Sequence, residues 1–199
     1  MNDPPITYEL VDSIAILKFN RPDDRNSLSS QILDILDDAL SNIINDKQVE
    51  CVVFTGTQDV FLSGAHIREL TLLDQKSAYD FSLKGQKLIQ RVAEAKPVMI
   101  AAINGYCMGG GLDFALACDI RVANPTAVFA HPGARLGIIT GWGGTQRLAR
   151  LVGKSRALEM FTTARWVSSS EAQRIGLITG IYEPVLEGAL TLARRVISS

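Results

Sequence analysis

The chain reads as an α/β protein with a largely parallel sheet, on two observations. Residues 49–55 and 98–103 are short, unbroken apolar runs of the length and composition of strands buried on both faces. Between and around them lie longer stretches with helical periodicity: Ile32, Leu33, Ile35, Leu36, Ala39, Leu40, Ile43 and Ile44 place one face of a helix on a core. Strands alternating with helices in this way pair in parallel.

The elements follow in order. Residues 7–19 read as a hairpin turning at Asp12 and Ser13. Residues 21–26 form a polar loop, with Pro22 and Asn26 as breakers. The periodic helix and the strand ending at Gly56 come next, then a loop over 61–66 and a helix over about 77–94. Pro97 stops that helix and the second buried strand begins. Asn104 and Gly105 turn the chain, and Gly109, Gly110 and Gly111 open a helix running to Cys118. Short strands are expected near 119–122 and 128–130. A glycine-rich stretch over 137–144 then leads into a helix that ends before Gly153. Ser168 and Glu171 have capping-box spacing, and Gly176 closes the short helix they start. A strand near 178–182 and a helix from Val185 complete the chain. With no linker, low-complexity tract or repeat, one domain over 1–199 is expected.

Composition excludes several functions. The chain has 199 residues, 47% hydrophobic and 21% charged, with a net charge of −1, so it offers no electrostatic footprint for nucleic acid. Its start lacks a signal-peptide pattern, and no apolar run is long enough to span a bilayer. Three cysteines, Cys51, Cys107 and Cys118, make no metal spacing and suit a reducing cytoplasm. Cytoplasmic location, no metal and no membrane partner are therefore expected.

The glycine triplet after the second buried strand carries chemistry. Glycines at a helix start let a carbonyl approach the backbone, beside unpaired N–H groups at the positive end of the helix. No Gly-Lys-Ser/Thr follows and dinucleotide spacing is absent, so this is neither a P-loop nor a Rossmann fingerprint. By itself the triplet is explained by tight helix–strand packing.

Other motifs change that weighting. Asn20-Arg21-Pro22, Asn26-Ser27-Leu28 and Phe61-Leu62-Ser63-Gly64-Ala65 resemble the beginning of the enoyl-CoA hydratase/isomerase (crotonase) family. The likeness runs on through residues 96–106, the glycine triplet, residues 115–119, Leu136-Gly137-Ile138-Ile139 and residues 143–148. It implies a spiral of ββα units assembled into homotrimers or hexamers. It also implies an acyl-CoA substrate, with coenzyme A as part of the substrate and no separate cofactor. The family's oxyanion hole falls on the N–H groups of Ala65 and Gly110. Asp24, Arg25, Ser27, Ile67 and Tyr106 fall along the CoA and acyl channel. Relatives continue with a helical segment beyond the point where this sequence stops, so the sequence is expected to be either a truncated piece or a natural short form with a more open site.

Two departures bear on the reaction. Hydratases of the family use two glutamates on one water; here the positions hold Asp113 and Gly133. General acid–base groups are typically worth about 10²–10⁴ in rate, so hydration is expected to suffer unless another group substitutes. The two histidines, His66 and His131, both lie in these motifs. His66, beside the oxyanion-hole residue, is the expected catalytic substitute with Asp113; His131 is expected to satisfy backbone groups. Gly133 leaves room for a substrate carboxylate, which makes CoA-ester decarboxylation the leading alternative to hydration. A catalytically weak acyl-CoA binder is the other.

Overall fold

The computed structural model describes residues 3–198; Met1, Asn2 and Ser199, and with them the ends of the expected 1–199 domain, lie outside the described residues. Ile6–Val11 (β1) and Ile14–Phe19 (β2) form the expected antiparallel hairpin, with Val11 opposite Ile14. Ser30–Asn45 (α1) and Cys51–Thr55 (β3) follow, then Val60–Leu62 (β4), Ile67–Leu70 (α2) and Gln75–Ala93 (α3). Val98–Ile103 (β5), Tyr106–Met108 (β6) and Gly110–Ala117 (α4) make the next turn. Ile120–Ala123 (β7), Val128–Ala130 (β8), Gly144–Val152 (α5) and Lys154–Thr163 (α6) make another. Val167–Ser168 (β9), Ser169–Arg174 (α7), Gly180–Ile181 (β10) and Val185–Ile197 (α8) end the fold.

The strands fall into two sheets, ordered β1-β2-β3-β5-β7-β10 and β4-β6-β8-β9. Pairing is parallel except at β1–β2 and β8–β9. Each turn therefore lays one strand in the large sheet and one in the small sheet before a helix returns the chain, which is the expected spiral of ββα units. Reading 61–66 as a loop misses β4, and β6 and α6 were also not anticipated. A three-residue strand offers too little alternation to be seen, and α6 starts at a glycine with no side-chain cap.

The unbroken apolar runs are explained by burial on both faces of the large sheet. Ile14, Ile16, Cys51, Val53, Ile100, Ala102 and Val122 turn to Val185, Ala189 and Ala193 of α8. Their alternating neighbours, such as Leu17, Val52, Phe54, Met99 and Ala101, join the main core with α1, α3 and α4. There Phe19, Phe54 and Phe114 pack edge to face.

Two buried polar side chains hold the site's framework. Arg121 donates from Nη1 to the Cys118 and Ala115 carbonyls, at 2.5 and 3.4 Å, and from Nε to Leu177 O at 2.9 Å. It thus satisfies carbonyls at the C-terminal end of α4 with a cation suited to the helix dipole. Asn26, with φ +49, staples the loop before α1 to β4. Its Nδ2 donates to Val60 O at 2.9 Å and Phe61 O at 3.2 Å, and its Oδ1 accepts from Arg21 N at 2.7 Å. Asn26→Ala removes the bonds to Phe61 O and Arg21 N, while Val60 O keeps Asn104 Nδ2 at 3.2 Å; a loss of roughly 1–3 kcal/mol in urea denaturation is expected. A change below about 0.5 kcal/mol would show that the loop is held by something else.

Candidate active site

The site begins where β4 and β6 end. After β4 the chain runs through Ser63, Gly64 and Ala65, with Gly64 at φ +98, a conformation that favours glycine. The loop before α1 backs this segment: Leu28 N donates to Gly64 O at 2.8 Å, His66 N to Leu28 O at 3.2 Å, and Ser63 N to Arg25 O at 3.2 Å. After β6, Gly109 at φ +52 caps α4, whose first residue is Gly110. The two segments touch. A Cβ placed on Gly64 would lie 3.0 Å from Gly110 N, and one on Gly110 would lie 3.5 Å from Ala65 N. Among the described residues, neither the Ala65 nor the Gly110 N–H has a backbone acceptor. The Gly110 N–H is also one of the donors that a helix leaves unpaired in its first turn.

Both amides border a cavity of about 920 Å³. Leu70, Phe81, Trp142, Ile138, Leu158 and Phe161 give it an apolar wall. Trp142 lies against Gly110, where a Cβ would overlap its ring, and packs on Phe81 with centroids 5.4 Å apart. Among the described residues the ionisable side chains on the wall are His131 and Lys154, and no carboxylate borders it.

Asp113 sits just behind. It lies on α4, one turn past Gly110, with no exposed surface. Its Oδ2 accepts from Thr140 Oγ1, and its Oδ1 lies 3.5 Å from His131 Nε2. Neither Oδ1 nor Nε2 has a hydrogen-bond partner among the described residues, and both atoms are enclosed. Burial pushes the carboxyl up to about 7, against the opposing pull of the Thr140 hydroxyl, the Arg147 charge and the backbone N–H groups of Trp142 and Gly144. Burial also holds the His131 imidazole down at about 4. Gly144 makes the contact possible, because a Cβ there would overlap Asp113 Oδ1. Phe161 stacks on the His131 ring at 4.6 Å.

The structure rearranges the expected roles of the histidines. His66 is the N-cap of α2: its Nδ1 accepts from Glu69 N at 3.3 Å, and it is not part of the cavity wall. The His131 side chain, expected to satisfy backbone groups, meets none among the described residues; its Nε2 lies beside Asp113 instead. The signal was available in the chain, since His131 stands two residues before the vacant glutamate position. Gly133 borders the cavity, but the direction in which a side chain would leave it is filled by Ile138 O, 2.5 Å from an ideal Cβ.

The remaining candidates divide. Ile67 is exposed and borders the cavity. Asp24, Arg25 and Ser27 lie on the loop behind Ser63 and Gly64, away from the cavity wall. Asp24 pairs with Arg21. The Arg25 guanidinium lies 4.9 Å above the Tyr106 ring, whose other neighbour is the exposed Trp166, at 5.8 Å. Cys51, Cys107 and Cys118 are buried and their thiols are pushed up by burial, Cys51 and Cys118 to about 12. Among the described residues no helix is long and apolar enough to cross a membrane.

Fold and site together define a protein of the crotonase fold. A family model described as enoyl-CoA hydratase/isomerase matches residues 9–199. The short-chain-enoyl-CoA hydratase of Clostridium acetobutylicum is 36% identical over 197 residues, 98% of this chain and 76% of that protein. The crotonyl-CoA hydratase of Syntrophomonas wolfei is 37% identical over 196 residues, covering 97% and 75%. A crystal structure of an enoyl-CoA hydratase from Bacillus anthracis matches with a TM-score of 0.95 at 31% identity, over 98% of this chain and 78% of that one. The chain belongs to the enoyl-CoA hydratase/isomerase family. It spans about three quarters of the length of these relatives.

Proposed function

We propose that the chain is an enzyme of the hydratase type that binds an acyl-CoA thioester in the apolar cavity and works through its enolate. The observation that carries this reading is the pair of unengaged backbone donors, Ala65 N–H and Gly110 N–H, meeting at the edge of that cavity. Charge accumulates on the thioester oxygen as the enolate forms, and each preorganised donor aimed at it contributes roughly 3–4 kcal/mol. The Leu70, Phe81 and Trp142 side receives the acyl group. The loop carrying Asp24, Arg25 and Ser27 takes the CoA moiety, as the family pattern implies. Names of relatives, hydratases of short-chain enoyl-CoA and crotonyl-CoA, point to the same substrate class. Assembly into trimers or hexamers belongs to the reading as well.

The test is a panel of acyl-CoA esters. Crotonyl-CoA is expected to be hydrated and to raise the melting temperature, whereas a malonyl-type ester is expected to lose no CO₂. If no ester in the panel shifts the melting temperature, the acyl-CoA reading fails. If esters bind and none turns over, the chain is a binder. Hydration weaker than that of relatives with two glutamates fits the departures at Asp113 and Gly133.

A further inference from the structure

We propose that His131 is the acid/base residue of this site and that Asp113, held against its Nε2, acts through it, so that one proton moved by the pair serves both halves of the water addition. The proposal rests on the acyl-CoA enolate reading and adds the identity of the proton carrier. The geometry leaves few other candidates. Among the described residues no carboxylate borders the cavity, and at Gly133, where a second glutamate would stand, an ideal Cβ lies 2.5 Å from Ile138 O. His131 does border it, on a wall shared with Gly110 and Ala65. Its Nε2 and the Asp113 Oδ1 are enclosed, lack any other partner and lie 3.5 Å apart. Acid–base contacts are often this loose before substrate binds and tighten in the complex. With Nε2 committed to Asp113, Nδ1 is the ring nitrogen left for the substrate.

The site invests in this contact. Gly144 clears the space, Phe161 fixes the ring plane and the Thr140 hydroxyl fixes Oδ2. Other ionisable groups near the pair are Arg147, whose charge favours the carboxylate, and Cys107, buried beside Asp113. A raised carboxyl and a lowered imidazole describe a pair that holds one proton below about pH 7 and none above it.

The step balances. In the unprotonated pair, Nε2 carries its hydrogen toward the Asp113 carboxylate and Nδ1 presents a lone pair. Water's oxygen bonds to Cβ of the enoyl thioester, and the double-bond electrons move to the thioester oxygen between the Ala65 and Gly110 N–H groups. The water proton goes to Nδ1 while the Nε2 hydrogen passes to Asp113. The enolate then takes the Nδ1 proton at Cα, Nε2 recovers its hydrogen from Asp113, and the pair returns to its starting state. Nothing is oxidised or reduced.

The experiment reads two reactions: hydration of crotonyl-CoA, and exchange of the Cα hydrogens of butyryl-CoA with deuterated water, followed by NMR. His131→Gln is expected to lower both by about 10²–10⁴-fold while the melting shift given by butyryl-CoA stays. Asp113→Asn is expected to lower both and to remove the pH dependence. For the wild-type protein kcat/KM should fall about tenfold per pH unit below about pH 7, as the extra proton occupies the pair. Wild-type rates in His131→Gln overturn the proposal. So does a wild-type profile flat from about pH 5 to about pH 9, a readout that needs no variant. If butyryl-CoA neither binds nor exchanges in the wild-type protein, the enolate reading itself falls and takes the relay with it. Binding with exchange that ignores His131 sinks the relay alone.

Discussion

Gly110→Ala is expected to lose most activity and a measurable share of stability. The added methyl would overlap Trp142, whose far side abuts Gly85 of α3 and packs on Phe81, leaving the cavity as its only open side among the described residues. Overpacking of this kind costs about 1–3 kcal/mol. Shifting the first residue of α4 relieves the strain and, on the proposed reading, carries the Gly110 N–H away from the thioester oxygen. Displacing one such donor costs about 10²–10³ in kcat. Gly85→Ala is the control. It crowds the same indole from the other side, so it should lose stability to a similar degree while leaving the amide in place. Equal kcat losses in the two variants would mean that Trp142, and not the Gly110 donor, is what catalysis senses. Urea denaturation and steady-state kinetics on both separate the outcomes.

Opposite pH slopes of stability are expected for His131→Gln and Asp113→Asn. The Asp113 carboxyl is raised from 3.8 to about 7 in the folded state. Its stabilising contribution is therefore complete at the acid end and lost as pH rises through about 7. The His131 imidazole is lowered from 6.5 to about 4, so its contribution is present above about 6.5 and lost as pH falls through about 4. In the wild-type protein the two effects oppose each other across that window and largely cancel. Removing the histidine exposes the carboxyl's slope, and stability should fall from about pH 4 to about pH 7. Removing the carboxyl exposes the imidazole's slope, and stability should rise from about pH 4 to about pH 6.5. Each swing is on the order of 2–4 kcal/mol. Denaturant midpoints measured across this range check both slopes, and a flat profile in either variant would mean that its remaining group is not desolvated in the folded state.

Much of this architecture is legible in the chain, because burial on both faces leaves an unmistakable run. Residues 98–103 could be nothing but an inner strand, and the triplet of glycines names the helix that must approach something closely. The N–H groups of Ala65 and Gly110 are singled out only by the resemblance to the family, through Ser63-Gly64-Ala65 and the glycine triplet. The harder features are those set by tertiary contact. Residues 60–62 and 106–108 are strands only because they find each other across the small sheet. The helix Lys154–Thr163 has Ala157 and Met160 buried at helical spacing, but its glycine start conceals it. His66 and His131 each stand beside a motif residue, and only the path of the chain decides which ring meets Asp113. Arg121 gives no local sign that its charge will be buried under the end of α4.

The two small-sheet strands that end at the site also act as a ruler. β4 and β6 are parallel neighbours, and such strands run about 4.8 Å apart. Two N–H groups leaving equivalent points on them are offset by about that interval, and donors that each approach one oxygen at about 2.9 Å from either side need nearly the same separation. On the proposed reading, the gap between the two donors follows from this strand spacing. Side chains around the cavity can be exchanged for new chemistry without recalibrating it, whereas a one-residue insertion at the end of either strand would put the donors out of step.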